Sequence, residues 1–339
     1  MVDRIVVHIG DSKAGSTALQ TVLRYHPPNF VWAYPGTSLN HNHLARALSR
    51  PRFKHLARPR FEELWRQIEK MDATIAVLSA ELFQSVRPES LVHALKEYGP
   101  SRLLPISVIA YCRPHLSKLT AMYSERVKFG QKVGTICDHA AKIRQTHRLD
   151  YAPRFKAWRD CFGEDFTLRP YSPNCDIVED FFRTALPDTP LFGFTLRPNV
   201  SMTQPQIELM QRVPKLAKAV GISKPIPSEI HRLICLHLRK NRIAAEGAKV
   251  MLSRTESSSF QRRYFQDALE MDQLFFENTF LEEALGRSLA SPVSASRYEL
   301  EASDISWFDQ IATSVLKDWS RDPCAYQRRA IKTLRSSLF

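Results

Sequence analysis

The residues best suited to chemistry stand near the start of the chain, in Gly10-Asp11-Ser12-Lys13-Ala14-Gly15-Ser16-Thr17. Two glycines let a backbone curl without Cβ clashes. A helix beginning at the second aims its unpaired N–H groups and the positive end of its dipole into the curl. That is a cradle for a phosphate or similar oxyanion, with a lysine charge inside it. ATP-binding loops follow GxxxxGK[ST], which puts the lysine directly after the second glycine. Here Ser16 holds that position and Lys13 comes two residues before Gly15. No later strand ends in an aspartate that would hold Mg²⁺, so a metal-dependent nucleotide hydrolase fits poorly.

Two more charged groups follow apolar runs. "TIAVLSAELF" carries Glu81 just beyond Ser79, and "ISVIAYCRPHL" carries Arg113 at its carboxyl end. In open parallel sheets ligands bind outside the carboxyl ends of the strands, so Glu81 is expected to face the same crevice as Lys13. His41 and His43 in "SLNHNHLARAL" are other groups able to move a proton, although histidines in a polar loop are expected to be exposed. His8, inside the first apolar run, reads as a buried, hydrogen-bonded residue.

The elements that must position these groups are legible from periodicity. Strands are expected at Ile5–Ile9, Thr74–Ser79, Ile106–Tyr111 and Phe166–Arg169, all but the last nearly wholly apolar, as in a sheet covered on both faces. Helical patterns occupy Gly15–Tyr25, Arg60–Lys70, Glu89–Glu97, Pro114–Phe129, Tyr151–Cys161 and Ile177–Thr184. Such alternation predicts an α/β fold with a parallel β-sheet flanked by helices in three layers. Beyond Pro187 the pattern turns mainly helical, with Gln204–Lys218, Ser228–Lys249 and Arg262–Leu285 as candidates. Ser288–Ser296 reads as a linker. An amphipathic stretch with Trp307, Phe308, Ile311, Val315, Leu316 and Trp319 follows, with a basic end; it is expected to pack on its own core or on a partner subunit, which leaves a homodimer and peripheral membrane contact open.

The chain has 339 residues, 44% hydrophobic and 24% charged, an ordinary globular composition. Its six cysteines occur singly, without CxxC pairs or His/Cys clusters of ligand spacing, which argues against a metal site and a disulfide scaffold. No basic-then-apolar leader precedes the first strand, and no apolar run approaches ~18 residues, so the expectation is a soluble cytoplasmic protein. A formal net charge of +13 asks for an anionic partner. Between Leu44 and Phe61 stand Arg46, Arg50, Arg52, Lys54, Arg58 and Arg60 with no acidic residue, either a solvated loop or a lip for an anionic substrate or surface.

The first loop, with "RIVVHIGDSKAGSTALQTVL" around it, resembles the 5′-phosphosulfate loop of the bacterial sulfotransferases that use PAPS (3′-phosphoadenosine 5′-phosphosulfate) and have a P-loop NTPase-like fold. The resemblance implies that Lys13 neutralises the bridging oxygen of the leaving phosphate, without metal. Gly10, Ala14, Gly15, Ser16 and Thr17 would line the 5′-phosphate. In that family an arginine at a later strand end and a serine eight residues on hold the 3′-phosphate. Here these are Arg113 and Ala121, so the hydroxyl is missing, and Tyr123 keeps the family spacing. Thr120 points roughly 100° away on a helix, whereas Ser117, one turn earlier, shares the face of Ala121. Ser79-Ala80-Glu81 resembles a frequent "SSE" of the family and makes Glu81 the expected general base for an acceptor hydroxyl.

Weaker similarities extend through "LDYAPRFKAWRDCFGEDFTLRPYSP", "DIVEDFF", "RPNVSMTQPQIELMQ" (with Asn199 and Ser201 near the nucleotide) and "ENTFLEEALGR". They imply a sulfotransferase domain over 1–287 and a linker and helical tail over 288–339. The implied activity is transfer of a sulfonate from PAPS to a hydroxyl of a saccharide, glycolipid or small metabolite, with nucleic acid excluded as partner because basic and aromatic residues are not interleaved. A P-loop kinase or NTPase, and a nucleotide or nucleic-acid binder without catalysis, are the alternatives.

Overall fold

The computed structural model describes residues 2–25, 31–99, 104–131, 134–172, 175–187, 189, 202–246, 248–290 and 300–336. Asn199, Ser201 and most of the expected linker lie outside them. The elements run β1 (Arg4–His8), α1 (Ser16–Tyr25), β2 (Trp32–Ala33), α2 (Asn42–Ser49), α3 (Ala57–Glu69), β3 (Ile75–Ser79), α4 (Pro88–Glu97) and β4 (Ile106–Cys112). Then come α5 (His115–Lys128), α6 (Ile136–Arg144), α7 (Ala152–Phe162), β5 (Phe166–Pro170) and α8 (Ile177–Ala185). The remainder is helical: α9 (Gln204–Gln211), α10 (Val213–Ala219), α11 (Ser228–Lys240), α12 (Arg254–Phe275), α13 (Phe280–Ala290), α14 (Ala302–Arg321) and α15 (Pro323–Ser336). Among the described residues, no helix is long and apolar enough to cross a membrane.

The chain forms two compact units. The first comprises Met1–His115, Asp150–Phe194 and Tyr264–Glu283; the second comprises Leu116–Leu149, Thr195–Arg263 and Ala284–Phe339. The first unit is the expected α/β assembly: five parallel strands in the order β2-β3-β1-β4-β5, flanked by helices. Ile5, Val6 and Val7 of β1, Ala76, Val77 and Leu78 of β3 and Val108–Cys112 of β4 are buried, which is why these runs show no polar alternation. Burial of each large aliphatic side chain contributes about 1.5–3 kcal/mol.

The order of the strands sets where a ligand can sit. β1 leads out toward β2 at one edge, while its neighbour β4 leads to β5 at the other. Their carboxyl ends therefore diverge at a topological switch point, where open α/β sheets form a crevice.

Opposite the carboxyl end of β5 a polar knot holds α8. The Asp180 carboxylate accepts from the Tyr111 hydroxyl (3.0 Å), from Arg169 Nε and Nη2 (3.1 and 2.6 Å) and from Arg183 Nη2 (3.0 Å). Burial alone would raise the Asp180 pKa, but the bonds and charge of Arg169 outweigh it and the pKa falls below the usual carboxylate value.

The second unit is mainly helical where described, with an antiparallel β-bridge between Thr203 and Lys249. α11 packs on α9, α14 and α15, and α14 also on α10. Phe308, Val315, Leu316 and Trp319 of α14 are buried, so the apolar face of the tail is covered by its own unit. Arg212 and Asp309 form a two-pronged ion pair (2.9 and 2.5 Å) that ties the start of α10 to α14.

Several boundaries differ from the sequence expectation, each for a local reason. The basic segment, read as either a solvated loop or a lip for an anionic substrate or surface, is helical: α2, a 3-10 helix at Pro51–Leu56 and the start of α3. Gln204–Lys218 breaks at Arg212 because Pro214, in the first turn of α10, has no N–H to continue the ladder. Ser228–Lys249 stops at Lys240, after which Arg242 and Ala244 take left-handed backbone (φ 54° and 49°). Arg262–Leu285 is two helices, because Asp272 turns its carboxylate onto the N–H groups of Leu281 (3.0 Å) and Glu282 (2.9 Å) and so caps α13. α13 continues to Ala290, inside the stretch expected as a linker. The two-residue β2 and α6, which begins with a Thr135/Asp138 capping box, were below the reach of periodicity.

Asp180→Ala should lower the unfolding free energy by about 2 kcal/mol, read from urea titration, since it leaves Tyr111 and Arg169 without their acceptor. A change within about 0.5 kcal/mol would show that the knot contributes nothing net to stability.

Candidate functional site

The loop after β1 is stitched to β4 beyond the last sheet pair. Ile9 N–H donates to the Ile109 carbonyl (3.1 Å), Tyr111 N–H to Gly10 O (2.9 Å) and Asp11 N–H to Tyr111 O (3.2 Å). On the other side Ala80 N–H donates to His8 O (3.0 Å). The loop is thus laid between the ends of β3 and β4, with Glu81 on one flank and Arg113 on the other. Gly10 (φ 98°) is required here: a Cβ would stand 3.3 Å from both the Cα and the carbonyl oxygen of Glu81, which are backbone and cannot yield. Gly15 (φ 77°) is needed where the chain turns into α1; its Cβ would meet Ile177 at 2.9 Å.

Lys13, between these glycines, also has left-handed backbone (φ 67°), which costs a side-chain-bearing residue about 1–2 kcal/mol. Its carbonyl accepts a 2.6 Å bond from Arg113 Nη1. The arginine at the end of β4 therefore holds the strained turn of the loop directly. Burial pulls the Arg113 pKa below its ordinary value, yet a guanidinium remains charged in proteins. Its position is fixed further by the Tyr151 hydroxyl on its carbonyl (2.8 Å) and by the Tyr171 ring 5.5 Å from its guanidinium carbon.

Ser16 is buried, its hydroxyl 3.4 Å from Asp11 O; Ala14 is buried, its N–H on the same carbonyl at 3.3 Å; Thr17 is exposed. Ser16 and Thr17 open α1, where backbone N–H groups have no carbonyl four residues back within the helix. Loop, Arg113 and helix start thus lie together beyond the carboxyl ends of β1 and β4. Ser117 and Ala121, expected to join them, lie on α5 in the second unit: Ala121 is buried, and the Ser117 carbonyl accepts from the Thr120 hydroxyl (3.0 Å).

Arg154 of α7 was not foreseen. Its Nη2 meets Asp11 Oδ2 at 3.2 Å and its Nη1 meets Gln84 Oε1 at 3.3 Å, while its guanidinium lies over Phe155 (4.6 Å). Asp11 is wholly buried and its other oxygen accepts the Ser12 N–H (2.9 Å). One arginine thus ties the loop after β1 to the 3-10 turn Glu81–Ser85 after β3. Its helix is held in turn by Asp267, which accepts from the N–H groups of Tyr151 (3.0 Å) and Ala152 (2.9 Å) and contacts His115 Nε2 (2.8 Å). Nothing in the periodicity of α7 marks Arg154; the partner it needs is 143 residues away in sequence.

Two of the histidines behave as parts of the frame. His8 is buried as expected, with Nδ1 2.7 Å from Ser79 Oγ, and burial lowers its pKa to about 3. His41 is not exposed, contrary to expectation. It is buried at the end of β3, where its Nδ1 accepts the Ser79 N–H (3.0 Å) and its Nε2 donates to Pro35 O (2.9 Å). Burial lowers its pKa to about 4. Both ring nitrogens are engaged, so His41 does not serve as a mobile base. His43 is exposed, and its pKa is lowered by partial burial and by the nearby charges of Arg60 and Arg46. Glu81 is half-buried at the head of its turn, against Gly10, and the next N–H, that of Leu82, donates to Asn42 Oδ1 (3.2 Å).

No family model, curated protein or solved structure matches this chain.

The two buried rings set a pH dependence. Unfolded histidine takes up a proton near ~6.5, whereas folded His8 and His41 do so only near 3 and 4. Between those values the unfolded chain binds more protons, so stability is complete above about pH 6.5 and declines as pH falls toward 4. Urea unfolding should show a loss of about 2 kcal/mol per ring between pH 7 and pH 5. A flat profile over that interval would contradict the burial of these rings.

Proposed function

We propose that the protein is a PAPS-dependent sulfotransferase of P-loop-like fold, acting on a hydroxyl-bearing acceptor without a metal ion. The observation that carries the reading is the bond from Arg113 to the carbonyl of Lys13. It joins the two motifs whose spacing suggested the donor, at the switch point of the sheet. Glu81, whose backbone packs against Gly10, stands on the opposite flank of the same loop.

PAPS, when bound, supplies a sulfonate joined to phosphate through an oxygen that leaves with negative charge. These residues suit such a group: a loop lysine, an arginine and the opening N–H groups of a helix all carry positive charge or donors. In this reading Ser16, Thr17 and the N–H groups around Gly15 hold the 5′-phosphate, and Arg113 holds the 3′-phosphate. The Lys13 ammonium stabilises charge that grows on the leaving oxygen, an interaction stronger in the transition state than before it. Glu81 takes the proton of the acceptor hydroxyl as its oxygen bonds to sulfur and the bond from sulfur to the bridging oxygen breaks. The two hydrogen bonds of His41 take it out of that role, and His43 is the alternative to Glu81.

The test is release of the desulfonated product from PAPS in EDTA, over a panel of acidic and neutral saccharides. Lys13→Ala should cost about 10²–10³ in kcat. Glu81→Gln should cost about 10²–10⁴ in kcat. Turnover of ATP that requires Mg²⁺, with none of PAPS, would assign the loop to a kinase or NTPase instead.

A further inference from the structure

We infer that the helical excursion from His43 to Arg60 is a docking surface for an acidic saccharide chain, carboxylated or sulfated, and that this chain is the acceptor. Only its role as acceptor rests on the sulfonate-transfer reading. The excursion departs from beside Glu81: His41 N–H donates to Ser79 O (2.8 Å), and Asn42, the first residue of α2, accepts from the Leu82 N–H. The residues on either side of the proposed base therefore anchor the segment that follows. Its cations are not loop residues spread through solvent but are presented on consecutive helices, with Arg46, Arg50, Arg52, Lys54 and Arg58 all exposed. Arg60 is pinned by its bond to the His43 carbonyl (2.6 Å) and brings its charge close to that of Arg46 at the His43 ring. Six basic side chains and no acidic one between Leu44 and Phe61 make a field of one sign.

The chemistry of the surface selects among polyanions. A membrane would need apolar side chains turned outward, but Leu44, Ala45, Ala47 and Ala57 are buried. Single-stranded nucleic acid would need open aromatic faces, but Phe53 is flanked by the guanidinium groups of Arg52 (4.5 Å) and Arg60 (5.7 Å). What remains served is a flexible chain of charges with hydroxyl groups between them, able to present one of those hydroxyls at Glu81.

The experiment uses the full chain, a labelled galacturonate decamer read by fluorescence anisotropy, and PAP (the desulfonated donor) read separately by calorimetry. The comparison is with Arg46→Gln/Arg50→Gln/Arg52→Gln/Lys54→Gln, four exposed positions remote from the phosphate loop in sequence. The wild type should bind the decamer with an affinity that falls steeply between about 50 and 200 mM salt. The variant should bind at least ~10-fold more weakly with a flatter salt dependence, and its PAP affinity should be unchanged, which also shows that it is folded. Equal decamer binding by both proteins would overturn the proposal. So would equal competition by neutral maltodextrin, or displacement of the decamer by single-stranded DNA at lower concentration, which would assign the surface to nucleic acid. Loss of decamer binding in the variant, with no PAP binding by either protein, would leave the surface standing and remove the donor reading.

Discussion

A carboxylate wholly shut off from water is the constraint around which the first unit is arranged. Asp11 sits inside the loop that follows β1, where an unpaired charge would cost several kcal/mol. It is tolerated because Arg154 reaches it from α7 and the Ser12 N–H meets its other oxygen. Removing either partner of such a pair is far more damaging than the pair's net worth. The remainder of the frame works to keep Arg154 in place: Phe155 under its guanidinium, Gln84 on its second prong, and Asp267 holding the first turn of its helix.

What that frame supports is a loop whose shape is set by its own hydrogen bonds. Lys13 occupies a backbone conformation that costs free energy in isolation, offset by the Arg113 bond to its carbonyl and by the stitches from Gly10 and Asp11 to β4. A site with its donors already oriented spends little on reorganisation when charge develops, which is the main way proteins stabilise such charge. The same frame fixes Glu81. Its turn is held by Ala80 to β1, by Leu82 to α2 and by Gln84 to α7, so the carboxylate and the lysine share one set of supports.

The candidate site residues are legible where a local pattern carries them. The glycines and Lys13 stand out because strand, loop and helix follow within twenty residues, and Glu81 and Arg113 because each follows an apolar run that ends abruptly. The five-strand sheet was legible through its buried runs, except β2, which at two residues has no period to read. Residues that act across long sequence distances were not legible. Arg154 looks like any helical arginine, and His41 looks like a loop histidine until Ser79 and Pro35 close on it. The basic stretch after His41 gave no helix signal because Pro51 and Pro59 interrupt the period; in the structure each falls in a first turn, where proline is tolerated.

In the reading proposed above, loop and strand-end arginine together form a metal-independent phosphate site. The most direct measurement is a calorimetric titration of the full chain with PAP in EDTA, repeated with Arg113→Lys. The expected result is a Kd on the order of micromolar for the wild type and at least ~10-fold weaker binding when the planar, two-pronged donor is replaced by a point charge. Absence of any heat with PAP, together with binding of ATP once Mg²⁺ is restored, would contradict it.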